Sequence, residues 1–155
     1  MLNKLLGFTL VELMVTIAVA AILLTIGVPS LTSIYESVRV NNNITKIHDI
    51  MVFARSQAIS YGTEITVVAT DGSNWKSGIK VTTADDKELR IIDAFNSNDS
   101  LKGNVDSFSF TSEGMLSGGS SIEIIYCPSG KSANSKSVIA SSSGLISYGA
   151  DGSSC

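Results

Sequence analysis

Charged and chemically reactive side chains are scarce in this chain. Of its 155 residues only 16% are Asp, Glu, Lys or Arg, with 11 cations against 14 anions. It holds one histidine, one tryptophan, two cysteines and two prolines. One histidine and two cysteines, without Cys/His spacing, argue against a structural zinc site. They also leave little for a His-based enzyme. A sequence pI near 5.0 lacks the Lys/Arg excess that marks a nucleic-acid protein. Disorder is equally disfavoured, because 44% of residues are hydrophobic and the net charge is only −3. The length fits one domain, or one domain plus an appendage, and allows about two thirds of the unfolded surface to be buried. Mean hydropathy is nevertheless +0.29, high for a soluble domain, so the hydrophobicity must be concentrated somewhere.

It is concentrated at the front. Phe8 to Val28 reads FTLVELMVTIAVAAILLTIGV, with only Thr9, Glu12, Thr16 and Thr25 polar. A bilayer-spanning helix needs about 20 such residues. A cleaved secretory signal has a shorter apolar run, about 7–15 residues, and a small-x-small exit that is not evident here. A generic single-span anchor fits the length. Neither accounts for Glu12, since an acid in such a run costs about 2.5–3.5 kcal/mol on insertion scales. Intramembrane acids have a partner and a function as a rule.

The leader MLNKLLG ends in Gly7, Phe8 follows, and Glu12 is the fifth residue counted from Phe8. This arrangement resembles the class III signal of type IV pilins and type II secretion pseudopilins. The resemblance implies cleavage between Gly7 and Phe8 by a prepilin peptidase, and N-methylation of Phe8. It also implies that Glu12 acts in assembly by meeting the amine of Phe8 on a neighbouring subunit. A buried carboxylate is tolerable when paired with a cation, and cleavage is what creates that cation.

Gly27 and Pro29 interrupt the helical pattern. Proline removes a donor and crowds the preceding turn, so a kink is expected near Val28. Beyond it Val40, Ile44, Ile47, Met51, Ala54, Ala58 and Tyr61 recur at alternating spacings of four and three, a stripe facing a core. Gly62 is a natural C-cap. The expectation is one long helix over about 8–61, with an apolar first part (8–28) and an amphipathic continuation (29–61). His48 reads as a solvated helix residue. Arg55 either pairs with an acid across an interface or lies on the surface with its stem packed.

From residue 62 to 155 short apolar runs alternate with turns. Strands are expected at 64–69, 78–82, 88–92, 107–111, 121–127, 137–140 and 144–148. Asp71-Gly72, Ser117-Gly118-Gly119, Ser129-Gly130 and Asp151-Gly152 mark turns. The stretch from Asp93 to Val105 reads as an exposed polar loop. Seven short strands imply a sandwich or paired small sheets.

ARSQAIS at 54–60, Trp75 with Gly78, LRIIDAF at 89–95, FTSEG at 110–114, IIYC at 124–127 and SSSG at 141–144 resemble the GspH/FimT family of minor pilins and minor pseudopilins. Within it they look most like FimU-type minor pilins. The similarity runs over essentially the whole chain. It implies an α+β, type IV pilin-like fold: a long N-terminal helix packed on a small antiparallel β-domain of two sheets. The implied partners are other minor and major pilins, the prepilin peptidase and the inner membrane. The implied location is a single-pass inner-membrane precursor with a periplasmic C-terminal domain, later part of a pilus or pseudopilus. In that oxidising space Cys127 and Cys155 most simply form one disulfide, with free thiols as the alternative. The bridge would close about 29 residues, worth around 3.6 kcal/mol in the chain-entropy account.

No enzyme, cofactor or metal is expected. Ser73-Asn74-Trp75-Lys76 matches the Ser-x-x-Lys pattern, but that motif needs a helix and partner motifs; here it falls in a turn, and Trp75 is expected to be packed. Asp85-Asp86 matches no EF-hand. Relatives that take up DNA carry Gly-Arg-x-Arg where this chain has Gly144-Leu145-Ile146-Ser147. Between Thr63 and Cys155 seven Lys/Arg face eleven Asp/Glu, a net of −4. Lys131 and Lys136 make at most a small patch, short of the clustered cations that phosphate binding uses. Nucleic acid is therefore not an expected partner. The function read from the sequence is a minor structural subunit of a type IV pilus, in a tip or priming complex. A type II secretion minor pseudopilin is the first alternative, and a DNA-binding minor pilin the second.

Overall fold

The structure, a computed structural model, describes residues 8–155. The order is helix α1 (Leu10–Tyr61), then strands β1 (Ile65–Ala69), β2 (Ile79–Thr83), β3 (Glu88–Ile92), β4 (Ser100–Gly103), β5 (Ser107–Phe110), β6 (Ile122–Cys127), β7 (Lys136–Ala140) and β8 (Ile146–Tyr148). One 3₁₀ turn covers Trp75–Ser77 and another Pro128–Gly130. The chain divides into two units at Glu36/Ser37. The expected α+β type IV pilin-like architecture is the one observed: a long helix and two antiparallel four-stranded sheets, ordered β3-β2-β1-β5 and β4-β6-β7-β8.

Residues 8–36 belong to the first unit. Their apolar side chains are exposed from Leu10 to Ile34, most of them by more than half. The helix is continuous through Gly27 and Pro29. Thr9 starts it: its carbonyl accepts from Leu13 N–H at 3.2 Å and its Oγ1 from Glu12 N–H at 3.2 Å. A threonine cap of this kind satisfies donors that the first turn leaves open.

In the second unit the helix buries Val40, Ile44, Ile47, Met51, Ala54 and Ala58, and also Ile50. The expected last member of the stripe, Tyr61, is exposed, because the helix ends there and the chain turns away. Gly62 is at φ 61°, and Thr63 N–H donates to Ala58 O at 3.3 Å. That is the six-to-one bond of a Schellman cap, which needs a left-handed residue at Gly62. Strand alternation supplies the rest of the core, with Ile65 and Val67 from β1, Ile79 and Val81 from β2, and Phe110 from β5. Ile124, Tyr126 and Val138 complete it from the other sheet.

All seven expected strands are present within a residue or two of their expected ends. The stretch 93–105 is a correction. It holds β4, which pairs Ser100 with Cys127 and Gly103 with Ile124, and it buries Phe95, Asp99 and Leu101. β4 itself carries one apolar side chain, Leu101, so period-two patterning had nothing to register. Its strand is made by β6, whose edge it completes.

Candidate functional site

The N-terminal site is the head of α1. Phe8 is 81% exposed and Glu12 is exposed in the first helical turn. An acid there also complements the positive end of the helix dipole, and Thr9 and Glu12 have capping-box spacing, which the sequence reading passed over. Among the described residues no cation pairs with the Glu12 carboxylate. Thr16 Oγ1 donates to Leu13 O at 2.8 Å, and Thr25 Oγ1 to Ile22 O at 2.7 Å. These hydroxyls are thus satisfied by their own helix, as an apolar environment requires. The helix is long and apolar enough to cross a membrane by length and composition. Gly7 lies outside the described residues, so the cleavage position is not part of this geometry.

The second unit is held by a buried polar cluster that sequence reasoning missed. The Asp99 carboxylate accepts from Arg39 Nη2 at 3.0 Å, from Ser129 N–H at 2.9 Å and from the Tyr126 hydroxyl. Asn43 Nδ2 donates to the same Tyr126 oxygen at 2.8 Å. One carboxylate thus ties α1, β6 and the Pro128–Gly130 turn, which keeps Ser129 at φ 51°. Burial, and then the hydrogen bond to Asp99, push the Tyr126 phenol up to about 12. Asn96-Ser97-Asn98-Asp99 reads as any polar loop does, so nothing local announced the burial of Asp99. Arg39 and Asn43 do flank Val40 on the helical stripe, and that flanking position is the one available signal.

Cys127 and Cys155 are joined in a disulfide, with Cα atoms 6.1 Å apart. The segment 149–155 is also hydrogen-bonded along its length. Gly149 N–H donates to Ser137 O, Gly152 N–H to Ser135 O, and Cys155 N–H to Ser132 Oγ, at 2.9–3.0 Å. Buried Ser135 Oγ donates to Ser153 O at 2.7 Å, and Lys102 Nζ reaches Cys155 O.

Three of the quoted motifs converge. Arg55 Nε donates to Gly114 O at 2.9 Å, a partner that neither sequence alternative named. A Cβ on Gly144 would lie 1.8 Å from Gly114 O and 3.0 Å from Arg55 Nε, so only glycine fits between the two turns. Trp75 is buried, as expected, and its Nε1 donates to Val105 O at 2.8 Å. The Ser73–Lys76 tetrapeptide lies at a turn built on Asp71, whose carboxyl is held below its usual range by Asn74 and Ser73 N–H donors. His48 departs from expectation: it is partly buried and stacks on Tyr148 with ring centroids 4.8 Å apart, because β8 brings that ring to the helix. Lys136 is engaged by Asp151 at 3.5 Å. No group of His, Cys, Asp and Glu able to hold a metal occurs among the described residues.

The comparisons with known proteins converge on these features. The family model of type II transport protein GspH matches residues 44–144. The prokaryotic N-terminal methylation motif matches residues 3–28. A search of curated proteins returns no match. Among solved structures, two crystal forms of the Pseudomonas aeruginosa type IV minor pilin FimU are similar. They show 21% identity and TM-scores of 0.64 and 0.66, covering 74% and 75% of this chain and 96% and 92% of theirs. The minor pseudopilin EpsH of the Vibrio cholerae type 2 secretion system is similar at 13% identity and a TM-score of 0.56, over 74% of this chain and 99% of its own.

Proposed function

This chain belongs to the GspH family, and from that premise we propose that it is a minor structural subunit of a type IV pilus, acting in a tip or priming complex. The observation that carries the reading is one chain joining two things: an exposed apolar helix that carries Glu12 and follows Gly7-Phe8 in the sequence, and a GspH-family β unit. In this reading a prepilin peptidase cuts after Gly7, and Phe8 is methylated. Residues 8–28 sit in the inner membrane until they enter the filament core, while the rest of the chain lies in the periplasm. The Glu12 carboxylate then takes the Phe8 amine of a neighbouring subunit as its counter-charge. The work is packing and pairing, and no bond is made or broken by this chain.

Fold likeness to the pilus protein exceeds that to the secretion protein, which favours the pilus over the alternative pseudopilin role. Engagement of Lys136 by Asp151 and the acidic balance of the β unit weigh against nucleic acid.

The test is complementation of a strain deleted for this chain, in both a piliation and a secretion assay. Restored piliation supports the reading; restored secretion alone replaces it with the pseudopilin. Mass spectrometry of the mature chain should begin at Phe8 with one added methyl group. An intact leader would sink the processing step.

A further inference from the structure

We propose that the free edge of β3 and the facing side of α1 form a groove that takes an extended acidic-x-basic-x-acidic segment of a neighbouring subunit as a fifth strand of the sheet.

The sheets have four edges, and three are closed or short. Beside β5, Ser117 N–H donates to Ser109 O and Leu116 bridges Phe110. β4 is four residues long. β8 is three residues long. β3, five residues long, is the longest edge left uncovered among the described residues, and such an edge is a template for another strand.

The register shows which groups it presents. Gly78 O accepts from Thr70 N–H, while Thr83 N–H donates to Lys87 O. Odd positions of β2 therefore bond to β3, and the partners Ile79↔Ile92 and Val81↔Arg90 are the bonded ones. By alternation Ile91 turns its N–H and C=O groups outward.

A cleft of about 370 Å³ lies along this edge. Its walls are Arg90–Asn96 on one side and Asn43, Lys46 and Asp49 of α1 on the other. The Arg90 guanidinium sits over the Phe53 ring at 5.2 Å. Phe95 lies 6.0 Å from Tyr126, whose hydroxyl holds Asn43. Arg90 thus marks the Phe53 end of the groove, and Asn43 lies toward the end where Phe95 meets Tyr126. From Phe53 to Asn43 the helical wall runs about 15 Å, ten residues at about 1.5 Å each, while β3 itself ends at Ile92. On that wall Asp49 and then Lys46 follow Phe53 at about 6 and 10 Å along the helix axis. Along the groove the charges therefore run Arg90, Asp49, Lys46. Asp49 touches only His48, at 3.4 Å, and Lys46 has no ion-pair partner among the described residues.

An added strand points every second side chain toward the helix. Three inward positions match Arg90, Asp49 and Lys46 when they carry acid, base and acid. A second copy does not match: with Ile91 across Ile91, Arg90 faces Ile92 and Asp93 faces Leu89. The inference rests on the proposed function only in naming a subunit as the source of the strand. The measurement below reads the groove whether or not assembly occurs.

The test uses the full chain in detergent and a seven-residue peptide of threonine and valine with glutamate, lysine and glutamate at positions two, four and six. Binding should slow hydrogen exchange at the Ile91 amide. The charge-reversed peptide should bind about tenfold more weakly, as complementary charge sets specificity. Ile91→Pro should abolish binding with an unchanged melting temperature, because the lost N–H faces outward and edge positions accept proline. Equal binding of both peptides, absence of protection, or binding that survives Ile91→Pro overturns the proposal. So does Ile91 protection that rises with protein concentration alone, which assigns the edge to a second copy.

Discussion

One helix runs through two regions that treat apolar side chains in opposite ways. Between Leu10 and Ile34 nearly every Leu, Ile and Val is exposed; between Val40 and Ala58 the stripe facing the sheets is buried. Local helix chemistry is equally sound in both, from the Thr9 cap to the Gly62 cap. The difference therefore lies in what each region packs against. The second region carries its own partner, two sheets of the same chain. The first exposes a continuous apolar surface of the kind that marks a membrane or protein contact. Its one acid, Glu12, contributes nothing to that surface unless a cation meets it.

The comparison breaks most decisively at Glu12. Glu12→Val makes the first region uniformly apolar and should insert more readily, by about 2–3 kcal/mol on insertion scales. The second region should melt as in the wild type. Filament assembly in a deletion strain should nevertheless be lost. Normal piliation by this variant, counted by electron microscopy, would show that Glu12 has only its helix-capping role.

The next largest effect is expected inside the second region. Asp99→Ala leaves Arg39, the Tyr126 hydroxyl and Ser129 N–H without their acceptor. Breaking a buried charge pair on one side costs about 3–5 kcal/mol, to be read from chemical denaturation. A loss below about 1 kcal/mol, the level of an exposed pair, would show that water replaces the carboxylate and that the cluster does not hold α1 to β6.

What the sequence made legible follows from these same forces. The apolar front, the stripe from Val40 to Ala58 and seven strands were visible because burial imposes a period on apolar residues. Glu12 was visible because it violates one. Asp99, Ser135 and β4 were not. Asp99 depends on Tyr126 and Arg39, 27 and 60 residues away, Ser135 on Ser153, 18 away, and β4 on β6, and polar residues carry no period. His48 was misjudged for a similar reason, since its ring is covered by Tyr148 from the far end of the chain. Arg55 was legible only as two alternatives until Gly114 O appeared beside it.

The disulfide sharpens the contrast at a smaller scale. Replacing Cys127 and Cys155 together by serine should cost the second region about 3.6 kcal/mol in the chain-entropy account. Exchange should quicken first in 149–155. The hydrogen bonds of that segment to Ser132, Ser135 and Ser137 keep it from being held by the bridge alone. If its amides exchange as slowly without the bridge, those bonds suffice and the cysteines are dispensable for order.

The smallest effect is at high pH. The Tyr126 phenol is raised from its ordinary value near 10 to about 12, by burial first and by the Asp99 hydrogen bond second. The folded state therefore resists ionisation that the unfolded chain accepts. Stability from this group is whole below about pH 10 and falls as the pH rises through about 12, since the unfolded state releases its proton first. Tyr126→Phe removes the titration, together with the hydrogen bonds to Asp99 and Asn43, at a cost of about 1 kcal/mol near neutrality. The two proteins should accordingly converge in stability between pH 10 and 12. If the gap between their denaturation midpoints stays constant over that range, the hydroxyl is reached by solvent and the cluster is looser than its geometry.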